Sequence, residues 1–174
     1  MACHPWVWLA AALAFPQPVQ AGPSEFVVKA AFIYNFFKFT DWPVAPGAQQ
    51  LPTYNLCFPG NPMPYAQAIS ALDGKMVAGK PVSVHLEVRG EQLKSCHMVV
   101  LFEEDGVDLL RELATLPVVT VSDMAGFIHR GGMIGLVQND KRLGFEVNLE
   151  VANANNIRFS SQMLKLAKSV RGAK

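Results

Sequence analysis

Apolar positions along this chain follow two rhythms, one of period two or continuous, the other near 3.6. "TYNLCF" (Thr53 to Phe58) and "KPVSVHLEV" (Lys80 to Val88) alternate and predict strands. In the second, Val82, Val84, Leu86 and Val88 share one face, and Ser83, His85 and Glu87 the other. "HMVVLF" (His97 to Phe102) and "PVVTVS" (Pro117 to Ser122) are unbroken apolar runs, the pattern of strands covered on both faces. "GGMIGLVQNDKRLGFEVNLE" predicts a hairpin, Met133 to Val137 and Leu143 to Leu149, turning at Asn139-Asp140.

The helical rhythm appears in four places. One helix is predicted from Glu25 to Thr40, capped by Ser24 and stopped where Trp42 precedes Pro43. "YAQAISAL" is a short helix closed by Gly74, and "GVDLLRELATL" is another. The tail from Ser160 is amphipathic, with Met163, Leu166, Ala167 and Val170 on one side. Strands alternating with helices predict one layered α/β domain. Its mixed β-sheet is flanked by helices and followed by a C-terminal amphipathic helix.

The first residues read differently. "WVWLAAALAF" (Trp6 to Phe15) is continuously apolar, and Val19 and Ala21 fit the small-residue pattern of a cleavage site. The expectation is a secretory signal peptide over 1–21, cut after Ala21, with a domain over 22–174. The segment before the run has no Lys or Arg, only the terminal amine and His4. The other reading, an uncleaved anchor, needs a longer run to cross a bilayer. No later segment is long and apolar enough to insert in a membrane.

Removing the signal leaves two cysteines, Cys57 and Cys96. An even pair in an exported chain reads as a disulfide, with two buried free thiols as the alternative. Closing that loop of about 40 residues would favour the fold by about 4 kcal/mol on chain entropy. With 51% hydrophobic and 17% charged residues, the 174-residue chain can build a core. A net charge of +1 gives no field that points to nucleic acid or an anionic membrane.

Candidate chemistry is sparse. The chain has no nucleophile elbow, Walker loop or His-Glu-x-x-His motif. His85, His97 and His129 read as structural or solvated, and Cys96 with His97 lacks the further ligands of a metal site. Neither a catalytic residue, a metal nor a cofactor is expected. "FEEDG" (Phe102 to Gly106) puts three acids beyond a central strand, where they complement the next helix or hold a cation. "RGGMIG" (Arg130 to Gly135) reads as a tight strand entry rather than a phosphate cradle.

The stretch "KAAFIYNFFKFTDWP" (Lys29 to Pro43) carries four phenylalanines, a tyrosine and a tryptophan. At 100° per residue, Phe26, Ala30, Ile33 and Phe37 share one side. Val28, Phe32 and Phe39 form another, roughly 140° away. Only Lys29, Asn35 and Lys38 interrupt. Such a helix is buried on more than one side. Phe32, Phe36 and Phe39 are the candidates for an interface.

The residues resemble a known family. "VVKAAFIYNFFKFTDWP" is similar to the opening motif of YfiR-like periplasmic proteins. The likeness continues through "YNLCFPGNP", "GKPVSVH", "CHMVVLF", "TVSDMAGFIHRGGMIGLV" and "FEVNLEVANANNIRFSSQMLKLAK". The resemblance implies export to the periplasm, a small α/β domain and a tendency to dimerise. It implies repression of an inner-membrane diguanylate cyclase by binding the cyclase's periplasmic sensor domain. That lowers cyclic di-GMP, the signal that drives biofilm formation. Cys57 and Cys96 match the family's recurring cysteine pair, part of its redox control, while a second pair of the namesake has no counterpart here. A small-ligand-binding module without a cyclase partner is the alternative function. A hydrolase or redox enzyme built on Asp123, His129 and Cys96 is the third.

Overall fold

Ser24 caps the first helix. Its hydroxyl accepts the Val27 N–H at 3.4 Å, and Glu25 stands in the first turn, where the helix dipole favours an acid. This helix, α1, runs Glu25–Lys38 and stops short of the expected Thr40. Thr40 starts a short strand instead, β1 (Thr40–Asp41), while its hydroxyl donates back to the Phe36 carbonyl at 2.7 Å.

The structure, a computed structural model, describes residues 24–43, 51–63, 65–102, 105–139 and 142–173. The expected signal peptide, Glu103, Glu104 and Asp140 lie outside them. After β1 come β2 (Tyr54–Phe58), α2 (Ala66–Ser70), β3 (Met76–Val77) and β4 (Lys80–Leu86). A 3-10 turn at Gly90–Ser95 leads to β5 (Met98–Leu101), α3 (Gly106–Leu113) and β6 (Val119–Ser122). A second such turn, Phe127–Arg130, enters the expected hairpin, β7 (Ile134–Asn139) and β8 (Arg142–Asn148). The chain ends with α4 (Leu149–Ala154), β9 (Arg158–Phe159), α5 (Ser161–Leu166) and β10 (Ser169–Arg171).

Among the described residues, eight strands form one mixed sheet in the order β10-β8-β7-β6-β5-β2-β4-β3. The five strands β4, β2, β5, β6 and β7 are parallel, and β8 returns antiparallel to β7. The unbroken apolar runs became β5 and β6, buried at every position, as central parallel strands must be. From β2 the chain first moves out to β4, then crosses back to place β5 on the other side of β2. The order therefore reverses between β2 and β5. A crevice opens at such a reversal beyond the carboxyl ends of the strands, where α/β sheets bind ligands.

Two apolar layers cover the sheet. One joins Ala30, Ile33, Phe36 and Phe37 of α1 and Ile69 of α2 to Leu56, Met98, Val100 and Val121. The other packs Leu93, Leu110 and Leu113 on Cys57, Val99, Leu101 and Phe127. At the β4 edge the cover runs out. Val82 and Val88 are buried, but Leu86 is 53% exposed, because only the two-residue β3 lies beyond. Asp73 blunts this edge by accepting the Val84 N–H at 2.9 Å.

The C-terminal helix is shorter than its periodicity predicts. Ser160 caps α5 through the Met163 N–H at 3.2 Å, and Met163 is buried, but Leu166 is 70% exposed. The chain turns extended at Ala167, the Lys168 N–H donates to the Phe145 carbonyl at 2.7 Å, and Ser169–Arg171 pair with β8. Strand β8 would otherwise present open backbone groups at the sheet edge. Pairing satisfies them, and this outweighs continuation of the helix.

Candidate functional site

Helix α1 spans the sheet from one end to the other. Eleven residues separate Lys29 from Thr40, an advance of about 17 Å, close to the length of a five-residue strand. Lys29 therefore sits at the carboxyl ends of β5 and β6, and the exit of α1 reaches the amino ends of β2 and β5.

At the carboxyl end, Lys29 is an anchor rather than an interruption. Its side chain is only 9% exposed. The ammonium lies 2.7 Å from Asp123 Oδ2 and 2.6 Å from Glu25 Oε1, and donates to the Tyr65 hydroxyl at 3.1 Å. Tyr65 in turn donates to Asp123 Oδ2 at 2.8 Å. The Tyr65 ring stacks on Phe102 (centroids 5.2 Å apart, planes at 27°) and meets Phe26 edge-on at 4.6 Å. Beside this cluster is a cavity of about 20 Å³, room for about one water molecule, lined by Lys29, Tyr65, Phe102, Ser122, Asp123 and Leu136. Over its rim, Glu25, Gln138 and Leu143 help form an open depression of about 140 Å³.

Charge compensation decides what this cluster can do. Burial pulls the Lys29 pKa down, but hydrogen bonds to Asp123, Glu25 and Tyr65 outweigh it and hold the ammonium above its ordinary range. Burial pushes the Asp123 carboxyl up, and the bonds from Lys29 and Tyr65 outweigh that, holding it below its ordinary value. Burial raises the Tyr65 phenol, with Lys29 opposing. Each group thus keeps one charge state across the neutral range, so none is poised as a general acid or base there. The cluster is a lock between α1, the start of α2 and the end of β6.

The third reading needed Asp123, His129 and Cys96 for chemistry. Asp123 is engaged by Lys29 and Tyr65, and His129 is exposed. Ser122, beside Asp123, is buried, and its hydroxyl accepts the Met124 N–H at 3.1 Å. Among the described residues, no three His, Cys, Asp or Glu side chains gather to hold a metal ion. Asp105, the one described acid of "FEEDG", folds back to accept the Phe102 N–H at 2.7 Å. In "RGGMIG", a Cβ added at Gly132 would stand 2.2 Å from the Phe127 ring. That glycine makes room for an aromatic ring, not for a phosphate.

Cys57 and Cys96 are joined in a disulfide, Cα atoms 6.0 Å apart. Cys57 lies in β2 and is 1% exposed, and Cys96 stands just before β5 and is 5% exposed. The bond lies in the second apolar layer beside Leu93 and Val99. An open groove of about 390 Å³ runs next to it, past His85, Leu86, Gln92 and Ser95.

The three phenylalanines expected at an interface divide. Phe32 and Phe39 are half-buried, while Phe36 is 2% exposed and belongs to the core. Its ring packs edge-on against Phe145 of β8 at 5.2 Å. Phe36 lies three positions after Ile33, about one turn on, so it joins the sheet-facing stripe rather than a second side. The outer face of α1 carries Val27, Ala31, Asn35 and Lys38. Phe32 lies at its margin, 5.8 Å from Phe145.

At the amino end of the sheet, Trp42 closes the segment. Its indole N–H donates to the His97 carbonyl at 2.8 Å, and its ring contacts Phe37 and Tyr54. By sequence alone Trp42 reads as a helix stop, Lys29 as a break in an apolar face and His97 as structural or solvated. The signal available was that each is a polar-tipped residue placed within the most apolar segments of the chain.

All of the aromatic α1 but Glu25, the central disulfide, Lys29 with Tyr65 and Asp123, and the glycine over Phe127 fall inside one contiguous match. A family model described as YfiR/HmsC-like matches residues 26–168, most of the chain. The chain belongs to the YfiR/HmsC-like family.

Proposed function

We propose that this chain is a periplasmic regulatory protein that represses an inner-membrane diguanylate cyclase. It does so by binding the cyclase's periplasmic sensor domain, which lowers cyclic di-GMP and with it biofilm formation. The observation that carries this reading is the family match over residues 26–168, because likeness to YfiR implies regulation of diguanylate cyclase signalling from the periplasm. A disulfide in the apolar interior fits an oxidising compartment. Among the described residues no helix is long and apolar enough to cross a membrane. Residues 1–21 serve as the signal peptide and 22–174 as the working domain, which acts by binding rather than by catalysis. The domain pairs as a homodimer, and the Phe32 and Phe39 margin of α1 contributes to an interface.

Co-purification tests this directly. The tagged protein and the sensor domain of the cyclase from the same cell are expressed in the periplasm together. Retention of the sensor domain, reduced by Phe32→Asp at unchanged melting temperature, is the expected result. No retention under either oxidising or reducing conditions would sink the reading. The depression at Glu25, Lys29 and Asp123 keeps the ligand-binding alternative in view. Stabilisation by a small ligand in a thermal-shift screen would favour it.

A further inference from the structure

His97 is held through its main chain and through one ring nitrogen. Its N–H donates to the Asn55 carbonyl at 2.9 Å, and its Nδ1 accepts the Asn55 N–H at 3.0 Å. Its carbonyl takes the Val119 N–H at 2.9 Å and the Trp42 indole N–H at 2.8 Å. The imidazole stands edge to face with Trp42, centroids 5.6 Å apart, and with Tyr54 at 5.2 Å. One residue thus ties β2, β5, β6 and the exit of α1 together.

A ring nitrogen that accepts a hydrogen bond carries no proton, so this geometry fixes His97 neutral, with its proton on Nε2. The surroundings oppose a second proton. Tyr54 faces the ring from β2 and Trp42 from the α1 exit, and neither offers a carboxylate to hold an imidazolium. From β4, the Lys80 ammonium lies 5.7 Å from the Tyr54 ring centroid and donates to the Leu51 carbonyl. Burial first, then the Lys80 charge, push the His97 pKa down to about 4.

We propose that His97 is an acid-sensitive latch that, while neutral, pins Trp42 and the end of α1 to the sheet and, once protonated, lets them go. Protonation at Nδ1 sets two donors, the imidazolium and the Asn55 N–H, against each other and adds a like charge near Lys80. The aromatic faces of Trp42 and Tyr54 offer a cation some attraction, but they cannot replace the lost acceptor. Turning the ring towards water removes the imidazole edge that packs on Trp42, and leaves the indole only its bond to the His97 main-chain carbonyl. The Cys57–Cys96 bond still ties β2 to the segment entering β5, so the opening is local. It loosens the C-terminal end of the helix that carries Phe32 and Phe39, whatever partner that helix meets.

The test is an NMR titration of the whole exported protein from pH 7.5 to 3.5. It follows the His97 ring, the Asn55 amide and the Trp42 indole N–H, the last assigned with Trp42→Phe. The latch predicts that all three move with one midpoint near 4 while far-UV circular dichroism holds. In His97→Asn the side-chain oxygen supplies an acceptor that does not titrate, so the Asn55 and Trp42 signals should stay still. Lys80→Gln should raise the wild-type midpoint. If His97→Asn fails to fold, the wild-type and Lys80→Gln titrations decide alone. The latch is overturned if Asn55 and Trp42 stay still while His97 titrates, or if they move only with loss of the dichroism signal. It is also overturned if a folded His97→Asn moves as wild type does, or if Lys80→Gln leaves the midpoint in place.

Discussion

Lys29 and Asp123 lie 94 positions apart in sequence, yet their charged atoms stand 2.7 Å apart over the end of β6, with Tyr65 bonded to both. The pair fixes where α1 begins its passage across the sheet. Because the Lys29 side chain is 9% exposed and that of Asp123 29%, losing Asp123 leaves the buried ammonium only the more exposed Glu25 as a counter-charge, and losing Lys29 leaves Asp123 only the Tyr65 hydroxyl. Asp123→Asn should therefore cost about 2–3 kcal/mol, somewhat less than for a fully buried pair. Urea unfolding measures it. A double replacement, Lys29→Met with Asp123→Leu, should cost less than the sum of the single changes, since each removes the charge the other leaves stranded. Strict additivity would mean that the contact contributes nothing.

The same pair sets a pH window. The Asp123 pKa is depressed in the fold, so its contribution is present above its ordinary value of 3.8 and is lost as pH falls through the folded value. The Lys29 pKa is raised, so its contribution is complete below 10.5 and is lost as pH rises through the folded value. The coupling should thus stay level from about pH 5 to pH 10. A double-mutant cycle repeated at pH 3, 7 and 9 should show it shrink only at pH 3. A coupling that falls between pH 7 and pH 9 would contradict these shifts.

The disulfide closes a separation of 39 residues. Replacing both cysteines by serine should lower stability by about 4 kcal/mol on chain entropy. Both cysteines are 5% exposed or less, so a reducing agent reaches them mainly through opening of the fold. Reduction should accelerate with urea well below the unfolding midpoint. Fast reduction in native buffer, independent of urea, would mean that the neighbouring groove already admits the thiol.

Gly132→Ala should be costly out of proportion to its size. The added carbon would stand 2.2–2.5 Å from three atoms of the Phe127 ring, which is 1% exposed and has nowhere to move. Overpacking of this kind costs about 1–3 kcal/mol. Thermal melts would register it. Phe127→Leu in the same chain should recover part of the loss by freeing that space.

Much of the fold was legible because burial in a parallel sheet leaves a direct mark. "HMVVLF" and "PVVTVS" read as central strands and are, and the hairpin forms, although Asn139, expected in its turn, ends β7 paired with Arg142. Ser24 is legible as a cap, and Ser160, legible as the start of the tail helix, proves to cap it. What stayed hidden depends on distant partners. Nothing local to Lys29 announces Asp123, and nothing local to Trp42 announces the His97 carbonyl. The tail reads as helix to Val170 because its period is helical, but the open edge of β8 claims Ser169–Arg171. Phe36 stands among the interface candidates because the segment is apolar nearly all round, and periodicity cannot choose a face when both are greasy.

Cellular cyclic di-GMP is the quantity to measure first. It should be determined in a strain lacking the gene, in the same strain with the gene restored, and in one restored with Phe32→Asp. A repressor of a diguanylate cyclase predicts a rise on deletion, reversal by the intact gene, and weaker reversal by the variant at equal protein level. An unchanged level on deletion, under both oxidising and reducing conditions in the envelope, would contradict repression of a cyclase.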